Sequence, residues 1–482
     1  MPDLKEVAVF SCGNIRDNIK ATFYNNGTLI IRGEGDMMNY TSNLPPWFKL
    51  RRRIKSVIVM KGVRKIGNSA FTQMPKLSNI YLFDTVEEIG KYAFIGCPKL
   101  EKVILPAGAD HEDAFDAHVS VEKITVVKNF SNIGAKSSVG VWATLYSNGH
   151  LLVEGHGDMQ DYTSKKDRPW KEYEWDVVFI TVKKGVKSIG SYVFKGFYNL
   201  ISVEIEDADG IKRHAFEACK NLVDIRINDT IKEIGMFVFA RCDSLLNVPI
   251  PDVKELSKGL FASCKSLKTI HIPDSVITIG TSAFIGCTSL ESVTGMNNVE
   301  NIESFAFSNC GIKFFIVPTK VKELKKNSFY NNKNLETIIL NKNIEEIGEM
   351  ALGCNFNLIN VEIPNDNKLK RIKNYAFSGC EKFVDFFNVK LDNLELIERD
   401  AFFLCSSLKN INIQTFNKII IKQHAFRSNK LNSVILPKYV ELEAKAFETH
   451  NGNKIHLDVS ASPKYSKMTK AQLTKLIGAQ VV

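Results

Sequence analysis

The chain has 482 residues and a formal net charge of +10. Hydrophobic residues make up 44% of the sequence and charged residues 24%, a balance that fits a folded globular protein and excludes a disordered one. No run of 18 apolar residues occurs, so no transmembrane span is predicted, and the first ten residues lack the basic region and apolar core of a secretory signal.

The first predicted element is a β-hairpin near the N-terminus. Two apolar runs flank Asn26-Gly27, and Asn-Gly between strand-like runs is the strongest short-range hairpin signal. A segment that contains Trp47 follows, and then the first copy of a repeated pattern. Because the end of a stacked repeat array exposes its apolar core, the hairpin and Trp47 are predicted to cap that end. A ligand-stacking role for Trp47 is the alternative.

The largest basic cluster of the sequence comes next, from Lys49 to Lys55. It lacks the interleaved aromatic residues that are typical of nucleic-acid grooves. Elsewhere lysine, aspartate and glutamate are interspersed along the chain. Nucleic acid is therefore not expected as a partner.

This lead-in segment occurs twice. Residues 143–164 repeat residues 21–42 with thirteen of 22 positions identical, and Trp170 then matches Trp47. The sequence therefore predicts a second hairpin and a second cap. The polar stretch at residues 128–138, which contains Gly and Ser, is predicted to join two repeat segments. Whether these segments stack continuously or form two bodies with a hinge is open.

One repeated pattern fills most of the chain, and residues 266–287, SLKTIHIPDSVITIGTSAFIGC, show it most clearly. Its copies lie mostly 22 or 23 residues apart, and such a fixed period is the signature of a stacked solenoid. Fifteen copies share an aromatic or leucine slot, filled by Phe71, Phe94, Phe115, Phe194, Phe216, Phe239, Phe261, Phe284, Phe307, Phe329, Leu352, Phe377, Phe402, Phe426 and Phe447.

The pattern also predicts the structure inside one repeat. Leu267 to Ile272 alternates like a short strand, so stacked copies would form a parallel sheet. The Phe slot is predicted to form a buried spine. A glycine follows isoleucine in many copies, as at Gly280. A turn that needs positive φ would explain this glycine.

The positions of the cysteines also recur with the period of the repeat. Eight of the ten cysteines lie three residues after the Phe slot: Cys97, Cys219, Cys242, Cys264, Cys287, Cys310, Cys380 and Cys405. This placement predicts a column of small buried thiols instead of a metal site. Neighbouring repeats are close enough for disulfides by distance alone, so oxidation within residues 219–310 remains an alternative. Free thiols would suit a reducing compartment.

The motif I-G-x-x-A-F-x-x-C-x-x-L-x-x-V-x-I-P is nearly complete at residues 89–106 and recurs at 279–293. It resembles the BspA-type, or Treponema-type, leucine-rich repeats. The resemblance implies a repeat solenoid, in which a right-handed superhelix carries a parallel β-sheet on its concave face and β-hairpin caps.

The repeats divide the chain into three predicted regions. Residues 1–132 hold the first cap and three repeats, and residues 133–458 hold the second cap and twelve repeats. Residues 459–482 form a tail in which SKMTKAQLTKLIG is typical of a short amphipathic helix, a candidate C-terminal cap.

No catalytic residue, cofactor-binding residue or metal ligand is predicted. Residues 33–36 and 155–158 share G-x-G-D, but the later glycine and helix of a phosphate-binding loop are missing, so both predict turns. His111 and His118 lie seven residues apart, which does not fit the H-E-x-x-H spacing of zinc sites.

A binding surface is the remaining prediction. The residues on either side of the middle isoleucine of each strand point away from the core and line the concave face. Phe314, Ile316 and Ile339 place apolar side chains there on adjacent repeats, which is typical of a protein contact. A covering loop or a local register slip is the alternative. The candidate partner-binding residues are Arg226, His271, Phe314, Ile316, Thr337, Ile339, Glu362 and Asn412.

These observations predict a non-enzymatic protein-binding solenoid without a cofactor. The resemblance implies a surface adhesin that contacts host cells or matrix proteins. Because no secretion signal is evident, such an adhesin would reach the cell surface or the medium by an unconventional route. The alternative is a cytoplasmic leucine-rich-repeat scaffold for a signalling or structural partner.

Overall fold

A computed structural model describes residues 6–14, 18–41, 43–136, 140–163, 167–385, 390–415, 417–427, 430–449 and 454–482. The chain divides into two compact units. The first unit holds Met1–Ile189, Gly196–Ala208 and Cys219–Arg226, and the second holds Gly190–Lys195, Asp209–Ala218 and Ile227–Val482. Residues 137 and 138 of the predicted joint lie outside the described residues.

Short strands dominate the described residues. Up to residue 227 they are β1 (Glu6–Ser11), β2 (Lys20–Tyr24), β3 (Thr28–Arg32), β4 (Gly35–Asp36), β5 (Ser56–Val59), β6 (Val63–Ile66), β7 (Asn79–Leu82), β8 (Glu88–Ile89), β9 (Lys102–Leu105), β10 (Ser120–Lys123), β11 (Val126–Phe130), β12 (Gly140–Tyr146), β13 (His150–Asp158), β14 (Phe179–Val182), β15 (Val186–Ile189), β16 (Ser202–Ile205), β17 (Gly210–Ile211) and β18 (Asp224–Ile227).

The remaining elements continue the same succession of short strands until the last residues. They are β19 (Glu233–Ile234), β20 (Glu255–Leu256), β21 (Thr269–Ile272), β22 (Thr278–Ile279), β23 (Ser292–Gly295), β24 (Asn301–Ile302), β25 (Phe314–Ile316), β26 (Glu323–Leu324), β27 (Thr337–Ile339), β28 (Glu346–Ile347), β29 (Asn360–Glu362), β30 (Arg371–Ile372), β31 (Leu396–Ile397), β32 (Asn410–Asn412), β33 (Ile419–Ile421), β34 (Ser433–Ile435), β35 (Val440–Leu442), β36 (Lys454–Asp458), α1 (Lys470–Ile477) and β37 (Gln480–Val481).

The first cap is a three-stranded antiparallel sheet. The predicted hairpin is confirmed, because β2 pairs antiparallel with β3 across Asn26-Gly27. The sequence did not predict β1, which pairs antiparallel with β2 on the other side. On its far side β3 pairs in parallel with β5, so the hairpin continues directly into the repeat sheet.

The second cap repeats this arrangement. Strand β12 pairs antiparallel with β13, as predicted, and with β11, which the sequence analysis missed. Strand β13 then pairs in parallel with β14, and β14 with β16. Trp47 and Trp170 are both fully buried, which agrees with their predicted place in the cap cores.

A typical repeat contributes a longer strand of three or four residues and a two-residue strand, joined by turns. In the repeat from residue 267, Ile270 and Ile272 of β21 are buried, whereas Thr269 and His271 are exposed. Strand β21 pairs in parallel with β23, and the short strand β22 pairs with its neighbours β20 and β24. The chain therefore forms a leucine-rich-repeat solenoid with parallel ladders, as predicted.

The Phe slot forms the predicted buried spine. From Phe194 to Phe329 in the second unit, successive rings stack with centroids 5.2–5.8 Å apart. After Leu352, the stack resumes from Phe377 to Phe447 at 4.9–5.1 Å. In the first unit, Trp47 lies 5.4 Å from Phe71 and continues the spine into the cap.

The glycine that follows isoleucine in the repeat is required for a different reason from the predicted one. The predicted positive φ is wrong, because it is found at none of the glycines Gly67, Gly90, Gly280 and Gly348. A Cβ on Gly280 would lie 2.4 Å from the carbonyl oxygen of Leu256 in the preceding repeat. The glycine is therefore required by close backbone packing between turns, and the left-handed conformation falls two residues later, as at Ser282.

The cysteines form the predicted column of buried thiols. All ten cysteines are free, and nine of them are buried. Seven thiols of the column donate to a backbone carbonyl of the preceding repeat; Cys287 Sγ donates to Phe261 O over 3.1 Å, and Cys310 Sγ donates to Phe284 O over 3.1 Å. The thiol is a second donor to this oxygen, because Phe261 O also accepts from Cys264 N over 3.0 Å.

Asparagine replaces cysteine at two successive places in this column, Asn332 and Asn355. Asn332 Oδ1 accepts from Cys310 N over 2.6 Å, and Asn355 Oδ1 accepts from Asn332 N over 2.7 Å. Both amide groups donate to Phe329 O at 3.1 Å. The two asparagines thus form a short buried ladder that ties three repeats together.

The predicted C-terminal helix is present as α1. Thr469 caps its N-terminus with Gln472 in a reciprocal capping box, and Gly478 ends it at φ 77°. Leu473 and Ile477 are buried. Phe447 N donates to Ile477 O over 3.0 Å, so the last helical turn contacts the last repeat.

Within the first unit, the second cap packs against the N-terminal repeats. The rings of Phe83 and Phe179 lie 5.1 Å apart, and Asn148 Nδ2 donates to Leu82 O over 3.4 Å. Lys61 Nζ lies 2.6 Å from Glu204 Oε2. These contacts place residues on both sides of the predicted joint in one compact unit.

Candidate functional site

The candidate surface is the face formed by outward side chains of the longer strands in the second unit, here called the strand face. Its residues occupy matching positions on neighbouring strands. Ile316 pairs with Ile339, and Ile339 pairs with Glu362, across the strands β25, β27 and β29. Phe314 pairs with Thr337 in the same register. Five of the predicted residues are therefore brought together.

Phe314 and Ile316 are the most exposed apolar residues of this face. The Phe314 side chain is 50% exposed and the Ile316 side chain 56%. Phe315 between them points inward, and its ring lies 4.6 Å from that of Phe329. The strand register is therefore regular here, and no loop among the described residues covers the two side chains.

A groove of about 590 Å³ runs beside these two residues. It lies where strands β23 and β25 belong to separate sheets. Its lining includes Val293, Met296, Phe314, Ile316 and Pro318. Most of these side chains are apolar, so the groove and the exposed residues form one continuous apolar surface.

The sequence contains a signal for this groove. Two residues separate Cys287 from the leucine position at Leu290, but only one separates Cys310 from the equivalent Ile312. The repeat that ends in β25 is therefore one residue shorter at its entry. Met296, directly after β23, has a φ of 65°, so the backbone is left-handed beside the groove. The sequence analysis did not predict Val293 or Met296, because one missing residue between Cys310 and Ile312 does not show which side chains line the resulting groove.

Charged groups border the apolar surface. Glu291 lines the groove, and Glu362 is exposed beside Ile339. Lys313 Nζ lies 3.3 Å from Glu336 Oε1, and both side chains face solvent. A partner would therefore meet an apolar centre with carboxylates at its edge.

The other predicted residues lie elsewhere. His271 is exposed on β21, with Nδ1 3.2 Å from Thr294 Oγ1. Asn412 lies on β32 in register with the exposed Ile435. Arg226 belongs to the first unit, where its Nη2 donates to Lys61 O over 3.2 Å. His271 and Asn412 therefore lie on other strands of the second unit than Phe314, and Arg226 is not part of that unit.

The histidine, cysteine and acidic side chains of the described residues do not gather into a metal site. No group of three His, Cys, Asp or Glu side chains among them is placed to hold a metal ion. Burial raises the pKa of Cys287 to about 12, so its thiol is not an activated nucleophile. The predicted turns in the G-x-G-D segments are only partly correct. Residues 33–34 bend the chain before β4, but residues 155–158 lie within β13, which shifts register between Gly157 and Asp158. Gly33 has a φ of 127° and Gly155 a φ of 121°, and a Cβ on either would collide with backbone atoms.

Among the described residues, no helix is long and apolar enough to cross a bilayer. The α-helix α1 has eight residues, whereas a span needs about 20.

The family model for the BspA type leucine-rich repeat region matches the sequence of this chain at residues 47–138, 173–270, 254–384 and 352–466. These ranges include the groove and every predicted strand-face residue. No curated protein matches the sequence.

Several solved structures resemble the chain at low identity. A leucine-rich repeat protein from Eubacterium ventriosum is 18% identical, with 96% of this chain and 98% of that chain covered and a TM-score of 0.33. A leucine rich cell surface protein from Faecalibacterium prausnitzii is 18% identical, with 74% and 95% covered and a TM-score of 0.30. The pneumococcal vaccine antigen PcpA is 13% identical, with 98% of each chain covered and a TM-score of 0.29. At these scores the likenesses carry no argument about function.

Proposed function

Because the chain belongs to the BspA-type leucine-rich repeat family, we propose that it is a non-enzymatic solenoid that binds a protein through the strand face of its second unit. The observation that carries this proposal is the pair Phe314 and Ile316, half exposed beside an apolar groove. Exposing two large apolar side chains on adjacent positions has a solvation cost that a partner would remove.

The partner we propose is a protein of the host surface or extracellular matrix, so that the chain acts as a surface adhesin. The family resemblance supports this role. The register of outward side chains on β25, β27 and β29 supports it too, since a large protein surface can lie across several repeats at once. The chain would then be displayed on the cell surface or secreted.

An intracellular scaffold for a signalling or structural partner is the second candidate, and the cysteines favour it. All ten are free, although their columns bring thiols of neighbouring repeats close together. Free thiols are typical of reducing compartments.

Binding to immobilised matrix proteins tests the surface. We expect Phe314→Ser/Ile316→Ser to weaken binding by at least about tenfold, because each lost apolar anchor costs roughly 1 kcal/mol or more. Phe356→Ser/Ile277→Ser is the matched control, since it removes one exposed Phe and one exposed Ile outside the strand face. Equal binding by the two variants would contradict the assigned surface.

Antibody labelling of cells tests the location. Signal on intact, unpermeabilised cells would support the adhesin. Signal that requires permeabilisation would contradict it and support the intracellular scaffold, whose partner would then be sought with the same two variants.

A further inference from the structure

The first cap carries a dense cluster of cations, here called the cap cluster: Lys49, Arg51, Arg52, Arg53 and Lys55. It begins in the 3-10 turn Phe48–Leu50 and ends at the entry to β5. Residues 48–55 contain five Lys or Arg and no Asp or Glu. Arg51 is half-buried and the other four are exposed, so the cluster faces solvent.

These cations have no internal counter-charge. Among the described residues, none of the five side chains forms an ion pair. The Arg51 guanidinium lies 4.2 Å from the centre of the Phe48 ring and donates to Phe48 O over 3.2 Å. The Arg53 guanidinium lies 5.2 Å from the Phe23 ring. The rings hold both groups against the surface without neutralising them, and the mutual repulsion of the cluster opposes folding.

The second cap shows that the fold does not need these charges. Trp170 and the 3-10 turn Lys171–Tyr173 occupy the place of Trp47 and Phe48–Leu50. Residues 171–178, which match 48–55, contain one Lys and three acidic residues. Formal charge at the same site thus changes from +5 to −2, counted over eight residues in each case.

The second cap also secures its turn by other means. Arg168 and Glu174 form a buried ion pair there, in which Glu174 stands at the position of Arg51. The cations of the first cap are therefore an addition to a scaffold that works without them, and this difference points to a ligand.

The cationic surface continues along the array. Lys76 precedes Leu77 as Arg53 precedes Ile54, and it is exposed. Ser78 N donates to Lys55 O over 2.9 Å, which fixes the two turns side by side. Parallel strands lie about 4.8 Å apart, so Arg53 and Lys76 begin a row of cations suited to a linear polyanion.

We propose that the cap cluster binds a sulfated polysaccharide, independently of the strand face. Arginine forks match the oxygen geometry of sulfate and phosphate esters. Single-stranded nucleic acid would also need aromatic platforms for its bases. At this site Trp47 is fully buried and Arg51 covers the Phe48 ring, so the cluster recognises anionic groups and not bases.

Binding of the full-length chain to heparin tests the proposal. We expect Lys49→Glu/Arg53→Asp/Lys55→Glu to weaken binding at least about tenfold at 0.1 M salt and to flatten its salt dependence. The control Lys258→Glu/Lys333→Glu/Lys409→Glu makes the same change in net charge at exposed lysines of the second unit and should bind nearly as well as the natural chain. Equal losses in both variants would overturn the proposal, because net charge alone would then explain the binding.

Two further arms complete the test. A chain with Glu172→Lys/Asp176→Arg should bind heparin more tightly, since it places cations at the equivalent site of the second cap. This variant still tests the proposal if the Lys49→Glu/Arg53→Asp/Lys55→Glu chain does not fold. Dextran sulfate should compete with heparin, whereas unsulfated hyaluronan should not. Tighter binding to single-stranded DNA or to phosphatidylserine vesicles than to heparin would overturn the choice of a polysaccharide.

Discussion

At the scale of the residue, stability comes from side chains that meet nearly the same surroundings in every turn. Phe284 is fully buried and stacks between Phe261 and Phe307, whose centroids lie 5.5 Å and 5.2 Å away. Phe314 is the same residue type, two repeats further along the chain, but half exposed on the strand face. The position within the repeat therefore decides whether a phenylalanine supports the fold or is available to a partner.

This contrast predicts two different costs for the same substitution. Phe284→Ala should lower the free energy of unfolding by about 3–5 kcal/mol, because it removes a buried ring and leaves a cavity. Phe314→Ala should change it by less than about 0.5 kcal/mol, because the side chain is already half in water. Urea unfolding followed by circular dichroism measures both, and an equal shift of the two midpoints would contradict the spine.

The cysteine column predicts the thiol chemistry of the chain. Burial raises the pKa of Cys219 and Cys380 to about 12, so at neutral pH these thiols are protonated as well as hidden. Native protein should therefore react very slowly with a thiol reagent at pH 7.5, whereas denatured, unreduced protein should titrate all ten cysteines. Fewer than about eight reactive groups after denaturation would mean that disulfides had formed.

At the scale of the element, the turns of neighbouring repeats are joined by backbone hydrogen bonds, such as Phe284 N to Ala306 O over 2.9 Å, and by buried side-chain hydrogen bonds. The thiol column bonds one carbonyl per repeat, but Asn332 and Asn355 each also accept a backbone N–H. The amides therefore join neighbouring turns more completely than a thiol does. The two asparagines flank Leu352, the residue that interrupts the aromatic stack.

Removing one of these amides should destabilise the second unit. Asn332→Ala leaves Cys310 N without its acceptor in the interior, which costs about 1–3 kcal/mol for each buried group left unpaired. Asn332→Cys should recover only part of this loss, because a thiol donates but is a poor acceptor. The unfolding midpoints are compared with that of the control Asn297→Ala, which removes an exposed amide. If Asn297→Ala lowers the midpoint as much as Asn332→Ala does, the buried ladder is refuted.

At the scale of the whole molecule, the first unit joins the second cap to the N-terminal repeats around His150. Its ring lies 5.2 Å from that of Phe83, and Nε2 lies 2.9 Å from Thr181 Oγ1. Burial lowers the pKa of His150 to about 4, with Asp84 and Glu204 opposing this shift and Lys183 and Lys61 adding to it. The interior contact is therefore built around a neutral imidazole.

This contact predicts a stability that depends on pH. The unfolded imidazole has a pKa near 6.5, so the contribution of neutral His150 is complete above pH 6.5 and is lost as the pH falls towards 4, by at most about 3 kcal/mol. His150→Gln should flatten the unfolding midpoint of the first unit between pH 7 and 4. His271→Gln, at an exposed histidine, should leave the pH dependence of the unfolding midpoint unchanged. If the unfolding midpoint of the natural chain does not vary between pH 7 and 4, the buried position of His150 is contradicted.

The sequence by itself determined the repeat, the parallel ladders, the buried Phe and Cys columns and both hairpins, because each of these features follows from a local pattern copied many times. A period of 22 or 23 residues leaves each side chain the same neighbours, so one turn predicts the next. The sequence also singled out Phe314 and Ile316, since apolar residues at outward strand positions break the alternation.

Only the tertiary structure decided features that depend on how distant segments meet. The close approach of Gly280 to Leu256 and the place of β1 and β11 in the caps are set by packing between turns. The position of Arg226 against Lys61 joins residues 165 apart in sequence, and no periodic pattern encodes such a contact. Its energy comes from two surfaces that complement each other only after each has folded.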